Sequence, residues 1–159
     1  MKIAWLLALI MHPTEPQETF TDVMSFGRTH IPLQRPHESL KDVFDKVAEQ
    51  RLWGSKGPIS GSGSSVAAAA RVRECLGRWI LKYNIQVFVD VPCGDANWQS
   101  HIPGLERIKY KGYDIADVPL KLAREKNARN ATMSFEHLDF TTDIPPEKPD
   151  IIMVRDVIQ

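Results

Sequence analysis

Residues 87–98, VFVDVPCGDANW, constrain this chain more than any other stretch. An apolar, β-branched run passes an acid, Asp90, and breaks at Gly94 into a polar turn. A run apolar on both faces belongs inside a parallel sheet covered by helices, so the rest of the chain must supply neighbouring strands and those helices. A buried strand that ends in a glycine turn also offers backbone N–H groups to a nucleotide, because in such sheets ligands gather at the carboxyl ends of the strands.

The sequence after this stretch alternates as the argument requires. Residues 107–114 (RIKYKGYD) read as a second strand, with Ile108, Tyr110 and Gly112 on one face. Residues 117–127 read as a helix, with Asp117 as its cap and Pro119 in its first turn. Residues 133–140 (MSFEHLDF) form a third strand of mixed polarity, suited to a sheet edge. A proline-rich loop, 141–149, leads to a continuously apolar fourth strand, DIIMV, at 150–154. Strand and helix alternating at this spacing predict an α/β fold with a doubly wound parallel sheet.

Before the first strand the chain divides into two parts. Residues 1–36 are a leader: a nine-residue apolar run, Ile3–Met11, then a segment rich in Pro, Thr, Gln and His without periodicity. The run is too short to span a bilayer, which needs about 20 residues. It reads either as a disordered lead-in or as a weak secretory signal without an A-x-A-like cleavage site, and the missing site favours a cytoplasmic chain. Residues 37–86 hold helices and a Gly/Ser loop. Leu40, Val43, Phe44 and Val47 make an apolar stripe with Ser39 as cap. A second helix over 65–83 buries Val72, Leu76, Trp79, Ile80 and Tyr83, and Asn84 closes it. Between the helices, RLWGSKGPISGSGSS (51–65) is either a flexible linker or a glycine turn feeding a helix N-terminus, with Ser64 or Ser65 as cap. Both readings stay open on the residues alone.

Composition narrows the function classes. Lysine plus arginine equals aspartate plus glutamate at 20 each, so no basic excess argues for nucleic acid. Cys75 and Cys93 fit neither a disulfide framework nor a zinc pattern, and the five histidines lack ligand spacing. No metal is expected. Cys93 has no histidine spaced to activate it, so it reads as a small packing residue.

What carries chemistry is the set of residues at the strand ends. The first strand gives Asp90 and the turn Pro92-Cys93-Gly94-Asp95; the second gives Asp114-Ile115, with Asp114 twenty residues after Gly94. The third gives Asp139-Phe140 and the fourth Arg155-Asp156. An acid at the second strand end suits the hydroxyls of a ribose. The third pair offers an acceptor for an amine beside a ring that can stack. Arg155 and Asp156 read equally as a salt-bridged strand end or as substrate contacts.

This pattern resembles the class I S-adenosylmethionine (SAM)-dependent methyltransferases. VDVPCGDANW is similar to their first motif, KGYDI to their ribose segment, LDFTTD to their adenine segment and PDIIMVRDVIQ to their fourth strand. More narrowly, the chain resembles methyltransferase-domain proteins that combine a tryptophan, SGPGSS, DVPCGDxNW and a DLIxCRDxLVH-like strand; here these are Trp53, SGSGSS with Ser62 in place of proline, DVPCGDANW and DIIMVRDVIQ. The resemblance implies a Rossmann-like sheet ordered 3-2-1-4-5-7-6, of which 87–159 supplies the N-terminal half, and SAM as a small-molecule cofactor. It assigns Asp90, Pro92, Cys93, Gly94, Asp95, Asp114, Ile115, Asp139, Phe140 and Arg155 to the cofactor. Ser62, Gly63, Ser64, Ser65 and Trp98 become an active-site cover, and the methyl acceptor stays unnamed. Stopping after the fourth strand leads to two further expectations: an incomplete methyltransferase, and an uncovered outer edge on that strand. A SAM-binding module without catalysis is the alternative. A nicotinamide-dependent oxidoreductase fits less well, since PCGDANW lacks the second and third glycines of G-x-G-x-x-G.

Overall fold

A computed structural model describes residues 6–10, 39–54 and 56–156; of 6–10 only the backbone is described. The elements in chain order are β1 (Leu6–Ile10), α1 (Leu40–Glu49), α2 (Ala70–Lys82), β2 (Val87–Asp90), β3 (Lys109–Asp114), α3 (Asp117–Lys126), β4 (Met133–His137) and β5 (Ile151–Arg155). They build one five-stranded sheet in the order β1-β5-β2-β3-β4. β5, β2, β3 and β4 run parallel to one another. Among these parallel strands the order is fourth, first, second, third, the arrangement expected for the first four strands of a Rossmann-like sheet. The fold is α/β.

One strand was not legible as such. Leu6–Ile10 falls in the segment read as a leader, yet its backbone pairs antiparallel with β5, Leu6 opposite Arg155 and Ile10 opposite Ile151. The outer edge of β5, expected to lie open, is therefore hydrogen-bonded. The reading of 11–36 as an irregular lead-in lies outside the described residues.

The parallel strands place their aromatic residues in a row. Phe88 on β2 faces Tyr110 on β3 with ring centroids 5.5 Å apart, and Tyr110 meets Phe135 on β4 at 5.8 Å. Phe135 is in register with Gly112, where a Cβ would lie 2.7 Å from the Phe135 ring and 3.0 Å from Cys93. Glycine there lets a large ring and the first turn share one space. Leu76 and Ile80 of α2 and Leu120 and Ala123 of α3 join the same cluster, so both helices cover this face. Each fully buried Leu or Ile contributes about 1.5–3 kcal/mol. Val89, Val91, Tyr113 and Val154 form the smaller cluster of the opposite face.

The helix boundaries depart from expectation where a tertiary partner intervenes. α1 begins after Ser39, whose Oγ accepts the Asp42 N–H at 3.1 Å, as expected of a cap. α2 ends as expected: Asn84 is left-handed (φ 51°) and the Ile85 N–H reaches the Ile80 carbonyl. Its start is later than expected. Residues 66–69 are turns, Ser65 Oγ accepts from the Ala68 N–H, and Arg73 donates to the Val66 carbonyl. Neither Ser64 nor Ser65 caps the helix, whose N-cap is Ala69. α3 is likewise not capped by Asp117, which sits in its first turn after Ala116. Its Val118 N–H is met instead by Asp45 Oδ1 of α1 at 2.8 Å, and Lys41 bridges Asp45 and Asp117 at 2.7 and 2.8 Å. An acidic side chain from another helix thus satisfies an N-terminal donor of α3.

Candidate functional site

The parallel strands all deliver their carboxyl ends to one edge of the sheet, and the turn 91–95 follows the central strand β2. It is fastened from several sides. The Cys93 N–H donates to the Tyr113 carbonyl at 2.7 Å. Gly94 adopts a left-handed φ of 57°, and its N–H donates to Asp114 Oδ2 at 2.9 Å. The other Asp114 oxygen accepts the Ala116 N–H, also at 2.9 Å. Asp114 is thus the strut that ties the glycine turn to the end of β3. Burial pushes its carboxyl up to about 6, against the backbone N–H groups of Ala116, Gly94 and Ile115, which favour the charged form.

Asp90 lies fully buried one turn back. Tyr110 and Gln99 both donate to its Oδ2, at 2.6 and 2.9 Å, while its Oδ1 has no hydrogen-bond partner among the described residues. Burial raises the Asp90 carboxyl to about 7, and the Tyr110 and Gln99 bonds and the positive Arg155 oppose the rise. Asp95, equally buried, pairs with Lys126 Nζ of α3 at 2.7 Å, and its Oδ1 also has no described partner. Lys126 reaches Asn97 Oδ1 as well, at 3.2 Å. Cys93 is buried against Gly112, and burial together with Asp114 and Asp90 holds its thiol protonated. That environment suits packing and disfavours a nucleophile.

The glycine-serine loop folds onto this turn. Ser60 Oγ accepts the Asp95 N–H at 2.9 Å, and a Cβ built on Gly94 would stand 2.3 Å from that oxygen. Asn97 Nδ2 donates to the Ser64 carbonyl and an Arg155 terminal nitrogen to the Gly63 carbonyl, both at 3.0 Å. Ser62–Ser64 form a short 3-10 turn, closed by the Ser65 N–H on the Ser62 carbonyl. Neither reading of this loop describes it in full: it is tied to the 91–95 turn and to Arg155 and so is not a free linker, and it does not lead directly into the N-terminus of α2, which starts at Ala70. Trp98 is 2% exposed and belongs to the main core; the Arg155 guanidinium lies 5.4 Å from its ring. Arg155 Nε is 3.4 Å from Asp156 Oδ2 but lacks a hydrogen-bond alignment, and Asp156 takes a left-handed φ of 62°.

The end of β4 is arranged differently. The Leu138 N–H continues the ladder to the Asp114 carbonyl, and then the chain turns. Asp139 Oδ1 accepts from both the N–H and the hydroxyl of Thr141, and the hydroxyl bond lowers its carboxyl. Phe140 is 43% exposed. Asp90, Pro92–Asp95, Asp114, Gly63, Ser64 and Arg155 thus form one bonded assembly, whereas the Asp139 carboxylate bonds locally to Thr141. Ser60, Asn97, Gln99, Tyr110 and Lys126 were missed by sequence reasoning. The signals for Ser60 and Asn97 were present, since Ser60 opens the SGSGSS run and Asn97 is the asparagine of DVPCGDANW; Gln99, Tyr110 and Lys126 carry no motif. Among the described residues no group of three His, Cys, Asp or Glu side chains is placed to hold a metal ion, and no helix is long and apolar enough to cross a membrane.

No protein-family model matches the chain, and no curated protein matches it. Twenty chains of solved structures do match. One, from "Conversion of a Disulfide Bond into a Thioacetal Group during Echinomycin Biosynthesis", is 22% identical with a TM-score of 0.44. That alignment covers 63% of this chain and 40% of the other, so the chain spans well under half the length of that protein. A likeness of this size carries no argument about function.

Proposed function

We propose that the turn 91–95, with the ends of β2, β3 and β5, binds SAM, and that the chain serves methyl transfer to an acceptor. The observation that carries this reading is the coupling of Gly94 to Asp114: a left-handed glycine at the end of the central strand, its N–H held by the acid that closes the neighbouring strand. The unpartnered polar atoms fit the same ligand. SAM carries an ammonium and a carboxylate at its amino-acid end. Asp90 Oδ1 and Asp95 Oδ1 are buried acceptors for the first, and Arg155 Nε is a buried donor for the second. An unmet buried polar group costs about 1–3 kcal/mol, so a ligand that satisfies several gains affinity. Asp114 keeps lone pairs for ribose hydroxyls, and Asp139 with Phe140 serves the adenine.

Bound SAM supplies a methyl group on a sulfonium sulfur, transferred in line to a nucleophile with S-adenosylhomocysteine as the leaving product. The residues of this chain bind and orient; positioning of this kind supplies about 7–11 kcal/mol in favourable cases. Titration calorimetry with SAM, S-adenosylhomocysteine and NAD tests the reading. SAM and S-adenosylhomocysteine should bind with a Kd on the order of micromolar, near −8 kcal/mol, and NAD should not. No heat with SAM sinks the proposal. Binding without transfer of labelled methyl to any acceptor pool favours the non-catalytic module.

A further inference from the structure

We infer that Ser60 is a built-in plug of this site, and that displacing it limits SAM binding. The inference rests on the SAM reading above and deepens it. The face of Gly94 that a bare glycine leaves open is taken by Ser60, with Oγ at 2.3 Å and Cβ at 2.9 Å from where a Cβ would lie. The same oxygen accepts the Asp95 N–H, one of the loop donors a ligand oxygen would otherwise meet. One N–H cannot serve the hydroxyl and a ligand oxygen at full strength, so the two compete. The strap that carries Ser60 is held by two more ties, Asn97 to Ser64 and Arg155 to Gly63. Glycines flank Ser60: Gly57 and Gly61 have φ of 99° and 93°, backbone states that other residues rarely adopt. Asn97 and Arg155 also make the plug responsive to the site. Asn97 shares Lys126 with Asp95, and Arg155 holds the strap with one nitrogen while its Nε has no hydrogen bond. A ligand carboxylate drawn to Arg155 would weaken the hold on Gly63 as it binds.

The test uses the full chain, Ser60→Ala, and Asn97→Ala as a second way to loosen the strap. Hydrogen exchange on each protein without added SAM reads the plug directly: the Asp95 amide should exchange faster in Ser60→Ala. Stopped-flow and calorimetric SAM binding should then show faster association and about 2- to 10-fold tighter affinity in Ser60→Ala, the effect of removing one competing net hydrogen bond. Asn97→Ala should move in the same direction by less. If Ser60→Ala binds SAM equally or more weakly than the parent, or its Asp95 amide is unchanged, the plug is wrong and the SAM site stands. If the parent and both variants all fail to bind SAM, the SAM reading falls and the plug with it.

Discussion

The end of β2 and the end of β4 lie on the same edge of one sheet and are built in opposite ways. After β2, a few residues bury two carboxylates, fix a left-handed glycine, and draw hydrogen bonds from β3, α3 and the serine strap. After β4, Asp139 closes a local turn on Thr141, Phe140 is 43% exposed and Ile144 86%. Loops with few buried contacts open at low free-energy cost, whereas densely bonded ones move only with their surroundings. The contrast teaches that the β2 side of the proposed site is held in place apart from the Ser60 contact a ligand must displace, whereas the β4 side is held only by local bonds.

Mutations can break or sharpen that contrast. The largest packing effect should come from Gly112→Ala, which drives a methyl group to 2.7 Å from Phe135 and 3.0 Å from Cys93. A loss of about 1–3 kcal/mol in urea unfolding is expected from such overpacking, and an unchanged midpoint would show that the β2 end is looser than described. Asp114→Ala should follow closely. It strands the Gly94 and Ala116 N–H groups, at about 1–3 kcal/mol for a buried group left unmet, and removes SAM binding.

The third prediction concerns pH. Burial pushes the Asp90 carboxyl up to about 7 in the folded protein, well above the ordinary aspartate range. Folded chains therefore bind the Asp90 proton more tightly than unfolded ones. Its contribution to stability is full below about pH 4 and declines as pH rises from about 4 to about 7. Wild-type stability relative to Asp90→Asn should fall across that window by an amount on the order of a few kcal/mol. A difference flat with pH would refute the buried, raised carboxyl. The smallest effect on stability belongs to the β4 end: Phe140→Ala should stay within about 0.5 kcal/mol, yet weaken SAM binding. A change in stability alone would remove Phe140 from the site.

Legibility in the sequence followed the same division between local and long-range causes. β2 through β5 and α3 were readable because apolar period and turn residues are written locally, as were the Ser39 cap and the Asn84 stop. The N-terminus of α3 was misassigned because its donor is met by Asp45, far away in the chain. α2 starts late for a similar reason, since Arg73 holds the Val66 carbonyl in a turn where an alanine run favours helix. Within the site, the motif residues could be found by spacing, while Tyr110, Gln99 and Lys126 act through contacts that no local pattern records. Leu6–Ile10 could not be recognised as sheet at all, because nothing near it in sequence pairs with it.

That last pairing has a consequence for how the molecule is assembled. Ala8 lies opposite Met153, a separation of 145 residues. During synthesis β1 emerges 145 residues before the partner of Ala8, so it waits for that length of chain before it can hydrogen-bond. Closing so long a loop is entropically costly and slow compared with the local steps that form α2 or α3. Until then β5 and β1 are each an open template for strands of other molecules. Aggregation risk is therefore greatest while β1 waits unpaired, and a chaperone that holds this strand during synthesis should raise the soluble yield.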